Sequence, residues 1–191
     1  MRHFKSRELA ISGLLIAVGI IIPLFSPVKI VLEPASFTLA SHVPIFLALF
    51  ISPYVAFSVA VGTTMGFAFA GFPPVVVARA ASQLVFATLG ALYLKRHPLE
   101  SMSPVRQRAF SLCIGAIHAL GEVAVAGAFY LSGALSGQSF LMSILVLVGL
   151  GTALHSMFDF EIARFLDLRL HLTRRIKGAK GSPSLERQSA A

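Results

Sequence analysis

Long runs of apolar residues, separated by short clusters of proline, glycine and charge, set the pattern of this chain. They fall at roughly 8–25, 37–52, 54–71, 75–95, 109–131 and 139–163. An α-helix needs about 20 mostly apolar residues to cross the hydrocarbon of a bilayer, so the pattern predicts six transmembrane helices. The runs are continuous and lack the alternation of lipid-facing and lumen-facing residues that marks barrel strands, which excludes a transmembrane β-barrel. What remains between and after the runs is a short N-terminus, brief loops and a basic tail. The expected organisation is a single six-helix domain over 1–165, followed over 166–191 by a basic cytoplasmic tail, of which KGAKGSPSLERQSAA is polar, free of aromatics and expected to be disordered.

Composition agrees with a bilayer environment. Of 191 residues 56% are hydrophobic and 13% charged, and the mean hydropathy is +0.82, values too apolar for a soluble domain of this size. The net charge of +8 is unevenly placed. Arg2, Lys5 and Arg7 precede the first run; Lys95, Arg96, Arg106 and Arg108 flank the fourth connection; Arg164, Arg169, Arg174, Arg175, Lys177, Lys180 and Arg187 follow the sixth. With an even number of spans this bias places both termini and the Lys95–Arg108 loop in the cytoplasm. Topology and attraction to anionic lipid account for the basic charge, and no nucleic-acid partner is expected. The first run continues at spanning length to Pro23 with no small-residue cleavage site after it, unlike a cleaved signal. Cys113, the one cysteine, lies in an apolar run and reads as packing.

Prolines gather in the connections assigned to the outer face: Pro23, Pro27, Pro34, Pro73 and Pro74. Proline fixes φ and stops a helix, so these connections are expected to be irregular and stiff, suited to a pocket wall; Pro53 reads simply as a helix stop. In the first run Ala10, Gly13 and Ala17 recur at three- and four-residue spacing, a strip that lets another helix approach closely. Gly62 with Gly66, and Gly149 with Ala153, repeat that spacing.

Ionisable side chains inside the apolar runs are the candidate chemistry, because each costs about 2.5–3.5 kcal/mol to insert and needs a partner, a cavity or a function. His42 stands near the outer start of the second run, with Arg79 and Gln83 in the outer part of the fourth. At about 1.5 Å per residue Arg79 lies some 7 Å deep and Glu122 about 13 Å. These four can line one outward-facing cavity. Arg79 suits either a structural salt bridge with Glu122 or a carboxylate anchor, since its planar fork presents paired donors; both roles are compatible if Glu122 is the resting partner. His42 reads either as a ring satisfied by a carbonyl freed by Pro44 or as a donor to a ligand. His155 and Asp159, four apart on one face, read as a self-satisfying pair toward the inner end; His118, one turn before Glu122, has no assigned role. Phe67, Phe69, Phe72 and Phe86 can stack on a flat ring, although core packing is the default for a chain with 16 Phe.

No Gly-x-Ser-x-Gly, His-Glu-x-x-His or G-x-x-x-x-G-K-[ST] motif is present, nor paired carboxylates arranged for Mg²⁺. The chain is therefore expected not to be an enzyme and to bind no metal or cofactor. No charged ring or filter suggests a channel.

The segment EPASFTLASHVPIFLALFISP, the stretch GTTMGFAFAGFPPVVVARAASQLVFATLGALYLK and the Ala/Gly strip of the first run resemble the substrate-binding S components of energy-coupling factor (ECF) vitamin transporters. The likeness spans roughly 8–165, and over 33–96 the niacin type is the most similar, with pantothenate-type members close in style. The resemblance implies a multi-pass protein of the bacterial plasma membrane that captures a vitamin from outside. It further implies docking to a transmembrane coupling subunit and two ATPases, which hydrolyse ATP on its behalf. On that reading Arg79, His42, Gln83, Glu122 and Phe72 bind a small vitamin such as nicotinate, with pantothenate or another small vitamin as the alternative substrate, and Ala10, Gly13 and Ala17 face the coupling subunit. The rival from another class is a stand-alone proton-coupled carrier using Glu122, His118 or Asp159 as a relay; 191 residues without a detectable inverted repeat is small for one.

Overall fold

The structure, a computed structural model, describes residues 6–135, 137 and 139–178. The expectation for the end of the tail lies outside the described residues from 179 onward. Among the described residues the chain is helical apart from one hairpin and short connections. Its elements are α1 (Ser6–Phe25), β1 (Lys29–Leu32), β2 (Ala35–Thr38), α2 (Val43–Ile51), α3 (Pro53–Phe69), α4 (Pro74–Arg96), α5 (Pro104–Leu131), a π-helical stretch (Phe140–Leu150) continuous with α6 (Gly151–Leu170), and α7 (Leu172–Gly178). Helix therefore continues across residue 165 to Leu170 and resumes in α7.

Local chemistry sets the helix starts. Ser52 accepts a hydrogen bond from the Val55 amide, with Pro53 in the first turn of α3. Ser103 does the same for Arg106, with Pro104 opening α5, and Ser139 caps the π-helical stretch through Met142. A serine hydroxyl satisfies an amide that the helix leaves orphaned, and proline loses nothing there because its position needs no N–H.

Among the described residues, α1, α4, α5 and the continuous helix Phe140–Leu170 are long and apolar enough to cross a membrane, and α3 is a shorter apolar helix of 17 residues. The run 37–52, expected as a full spanning helix, is instead the end of β2, a turn and the nine-residue α2. At about 1.5 Å per residue α2 reaches only some 13 Å. The rest of that run is used by the antiparallel hairpin, paired Lys29↔Thr38 through Leu32↔Ala35, whose second strand and following turn descend between the helices. An open hairpin edge is tolerated inside a bundle only where protein or a cavity surrounds it.

Away from the hairpin the core is aromatic. Phe160 meets Phe46, Phe50 and Phe110 at 5.5 to 5.9 Å between ring centroids, with Phe46 and Phe50 set edge-on, an arrangement favoured by the ring quadrupoles. Nearer the hairpin, Ala35, Ala126, Ile144 and Val148 form a second apolar cluster. Gly151 lets the hairpin approach: a Cβ there would sit 2.5 Å from Cζ of Phe37.

Two of the three small-residue strips, those of α1 and α3, divide cleanly. Gly62 and Gly66 of α3 receive Ile16 and Ile20 of α1, so that strip is internal packing. Ala10, Gly13 and Ala17 lie on the exposed face of α1, and nothing lies within 4 Å of a Cβ built on Gly13. Leu9, Leu14 and Ile21 share that face, exposed by 63%, 64% and 52%. Gly62→Leu is accordingly expected to force Ile16 aside and lower stability by about 1–3 kcal/mol, while Gly13→Leu leaves it unchanged; thermal unfolding in detergent compares them, and equal transitions in the two variants would contradict this division of the helix faces.

Candidate functional site

A cavity of about 400 Å³ lies between the hairpin and the helices, lined by both strands and by residues of α1 through α6. Its size suits a small organic molecule. Much of its wall is apolar, including Val31, Phe37, Ile45, Phe67, Phe72 and Val76, while Lys29, Glu33, Arg79, Gln83, Glu122, Thr152 and His155 bring polar groups to it.

Arg79 of α4 is 5% exposed and Glu122 of α5 3%. Arg79 Nη2 donates to Glu122 Oε2 at 2.7 Å, and Nη1 donates to the Pro34 carbonyl at the hairpin turn at 2.8 Å. Thr152 of α6 donates to the same Glu122 oxygen at 2.6 Å. One guanidinium thus joins α4 to the hairpin and to α5, and through the shared carboxylate to α6. Arg79 Nε has no hydrogen-bond partner among the described residues.

A second polar group forms around Asp159, which is 0% exposed. Its Oδ1 accepts from the Ala40 amide at 3.0 Å and its Oδ2 from the His42 amide at 2.8 Å. Ala40 has φ +65°, a left-handed conformation that is strained for a residue with a Cβ; the Asp159 carboxylate holds the turn in it. The His42 and His155 rings flank the same carboxylate, with His42 Nδ1 and His155 Nε2 at 3.4 and 3.3 Å from Oδ2. Ser41 Oγ lies between the two rings, 3.2 Å from His42 Nδ1 and 3.1 Å from His155 Nε2.

His118 connects the two groups. Its Nδ1 is hydrogen-bonded to Ser156 Oγ, its Nε2 lies 3.4 Å from Glu122 Oε1, and its ring packs edge-on to His42 at 4.7 Å. His42, His118 and Glu122, and separately His42, His155 and Asp159, bring potential metal-ligating atoms within 4.8 Å of one another.

All five residues expected to bind substrate, Arg79, His42, Gln83, Glu122 and Phe72, line this one cavity. The surroundings of several differ from expectation. His42 is not set inside a spanning helix; it is the residue before α2, at the foot of the hairpin, and its ring faces Ser41 and Asp159 rather than a carbonyl freed by Pro44. His155 and Asp159 are not a self-contained inner pair: His155 lines the cavity and Asp159 secures the turn above α2. Phe72 stacks on Phe67 at 4.6 Å in the wall, whereas Phe86 packs in the core against Phe46 and His118 and Phe69 is 85% exposed.

Sequence reasoning missed the hairpin and Thr152, Ser156 and Ser41. The signal for the α6 group was present: Thr152, His155, Ser156 and Asp159 follow helical three- and four-residue spacing on one face. The hairpin signal, β-branched residues before Glu33-Pro34 and the polar run after it, lay within stretches read as an irregular loop and the start of a helix.

No family model matches the chain, and no solved structure matches it. It is similar to a curated protein of Lactococcus lactis subsp. cremoris (strain MG1363), "Niacin transporter NiaX", with 42% identity over 160 residues that cover 83% of this chain and 72% of that one.

Asp159→Ala removes the acceptor of two backbone amides, each worth about 1–3 kcal/mol when left buried and unpaired. Its thermal transition in detergent is expected to fall well below that of the unmodified protein, with Asp159→Asn, which keeps one acceptor oxygen, in between. A wild-type transition for Asp159→Ala would show that the turn does not depend on this carboxylate.

Proposed function

The chain belongs to the family of the niacin transporter NiaX, and from that premise we propose that it is the niacin-binding S component of an ECF-type importer, taking nicotinate into the cavity beneath the hairpin. It is a multi-pass protein of the bacterial plasma membrane, and its role is transport rather than catalysis. The observation that carries the substrate assignment is the position of Arg79: a buried guanidinium at the cavity wall, with Nε unpartnered among the described residues, in a relative of a niacin transporter. Nicotinate is a flat aromatic ring with a carboxylate. Arg79 anchors the carboxylate, Glu122 is its resting partner, Gln83 and His42 supply hydrogen bonds, and Phe72 forms part of the wall that receives the ring.

In this reading the apolar segments cross the bilayer six times, with α2 and the hairpin together completing one crossing and both termini in the cytoplasm, as the distribution of basic residues favours. The hairpin then faces outward and nicotinate reaches the cavity from that side. A transmembrane coupling subunit docks on the exposed Ala10–Gly13–Ala17 face of α1, where small residues permit close helix approach, and two ATPase subunits supply the energy. The chain itself carries no phosphate-binding loop. Support for this docking face is its exposure: the other strip on these two helices, Gly62 and Gly66, is already filled by α1.

Arg79→Ala is expected to lower nicotinate affinity about a hundredfold or more, the usual consequence of removing a desolvated, charge-assisted partner. Calorimetric titration of folded variant and wild type measures it, and an unchanged affinity would remove Arg79 from the site. Gly13→Leu is expected to leave nicotinate binding by the isolated protein intact while abolishing co-purification with the ATPase complex and uptake by cells; retained uptake would exclude α1 as the docking face.

A further inference from the structure

We infer that His42, His118 and Glu122 form a binding site for a divalent transition-metal ion of the zinc class, with an open coordination position facing the cavity that takes the carboxylate of nicotinate. The inference rests on the reading of this cavity as a nicotinate site and departs from the expectation of a metal-free protein. It starts from two atoms. His118 Nε2 is buried without a hydrogen-bond partner among the described residues, and the nearest carboxylate oxygen, Glu122 Oε1, stands 3.4 Å from it. Two ligand atoms at about 2.0–2.1 Å from a tetrahedral ion are themselves about 3.3 Å apart. The observed separation is that of neighbouring ligands across a metal.

The far side of each ligand is already fixed. His118 Nδ1 is held by Ser156 Oγ, which points Nε2 at the site. Glu122 Oε2 is held by Arg79 and Thr152, which leaves Oε1 toward His118. Metal-binding histidines and carboxylates are oriented in this way by partners on their other atoms. His42 supplies the third ligand: its Nδ1 faces Ser41 and Asp159, leaving Nε2 as the nitrogen for the ion, so that in the metal-loaded site His42 meets nicotinate through the ion in place of a hydrogen bond of its own. All three residues can place a ligand atom within 4.8 Å of the other two, so binding draws His42 inward. The alternative triad of His42, His155 and Asp159 is less suited, because both Asp159 oxygens already accept backbone amides.

His42 and Glu122 line the cavity, so a ligand there can complete the coordination shell. Three protein ligands with an open fourth position is the arrangement of zinc sites that receive a small molecule. It also addresses a question of charge. Arg79 and Glu122 neutralise each other across 2.7 Å, which weakens Arg79 alone as an attractor for an anion; a dication beside them makes the site positive and favours nicotinate over uncharged analogues.

Co²⁺, whose visible absorption reports tetrahedral coordination, is the probe. Titrated into chelator-stripped, full-length protein in detergent, it is expected to saturate at one ion per chain and give an intense tetrahedral spectrum that shifts when nicotinate is added. His118→Ala, checked for folding by its thermal transition, is expected to bind Co²⁺ about tenfold more weakly or worse; His42→Ala provides the same test should His118→Ala fail to fold. Cys113→Ser is expected to leave Co²⁺ binding unchanged, excluding the exposed thiol as the ligand. Absence of saturable Co²⁺ binding by the wild type, or binding unaltered in the folded histidine variants, would overturn the metal site. A tetrahedral spectrum unmoved by nicotinate that calorimetry shows to be bound would overturn the open position. Failure of nicotinate to bind either the stripped or the Co²⁺-loaded protein overturns the niacin reading instead, and the Co²⁺ titration alone then decides the metal site.

Discussion

The ion pair between Arg79 and Glu122 is the constraint on which the cavity depends. A guanidinium and a carboxylate withdrawn from water cost several kcal/mol each unless their remaining donors and acceptors are met. Here the need is met in large part from three directions, the Pro34 carbonyl above, Glu122 across the bundle, and Thr152 on the same carboxylate oxygen, while Arg79 Nε has no partner among the described residues. The pair therefore fixes the distance between α4 and α5, ties α6 to both, and keeps the hairpin turn over the space between them. Apolar packing alone would specify this less sharply, because apolar contacts are non-directional whereas paired charges are not.

Asp159 has the complementary role deeper in the bundle. Its two oxygens hold the amides of Ala40 and His42, so the chain can leave the hairpin through a left-handed alanine and begin α2 below it. The short α2 follows from this. Residues that would have completed a spanning helix line a cavity instead, and irregular backbone at that depth is satisfied by a carboxylate from α6 rather than by water. Phe37 against Gly151 closes the same contact with apolar surface.

The sequence made the bundle legible wherever a run was long, apolar and bounded: α1, α4, α5 and α6 correspond to four of the predicted runs, whereas the Ser-Pro pairs at 52–53 and 103–104 open α3 and α5, a start signal that reading Pro53 only as a helix stop overlooks. It made five cavity residues legible as well, because Arg79, Glu122, His42 and Gln83 are out of place in hydrocarbon and so announced a partner or a cavity, and Phe72 adjoins the outer prolines. What it hid was long-range. Hydropathy rates KIVL and the residues after it much as it rates a helix, and nothing local tells a reader that Asp159 reaches Ala40, 119 residues away. His155 and Asp159 were recognised as sharing a face, yet the depth of the hairpin, which brings that face to the cavity, is set by the turn they hold. That His118 joins His42 and Glu122, which are expected to share the cavity, was hidden for the same reason.

These features describe a small, largely apolar chamber with polar groups brought in by the hairpin, α4, α5 and α6, and the nicotinate reading proposed for it requires that it distinguish molecules by a negative charge rather than by shape alone. Buried donors left unpaired by the wrong ligand reject it more strongly than a missing apolar contact does. The most direct measurement is the affinity of nicotinate against nicotinamide, by calorimetry on the isolated full-length chain at neutral pH. The two share a ring and nearly the same outline and differ in charge. Nicotinate is predicted to bind at least about tenfold more tightly, as the loss of a charged hydrogen bond of about 1.5–3 kcal/mol requires; equal affinities would contradict the account.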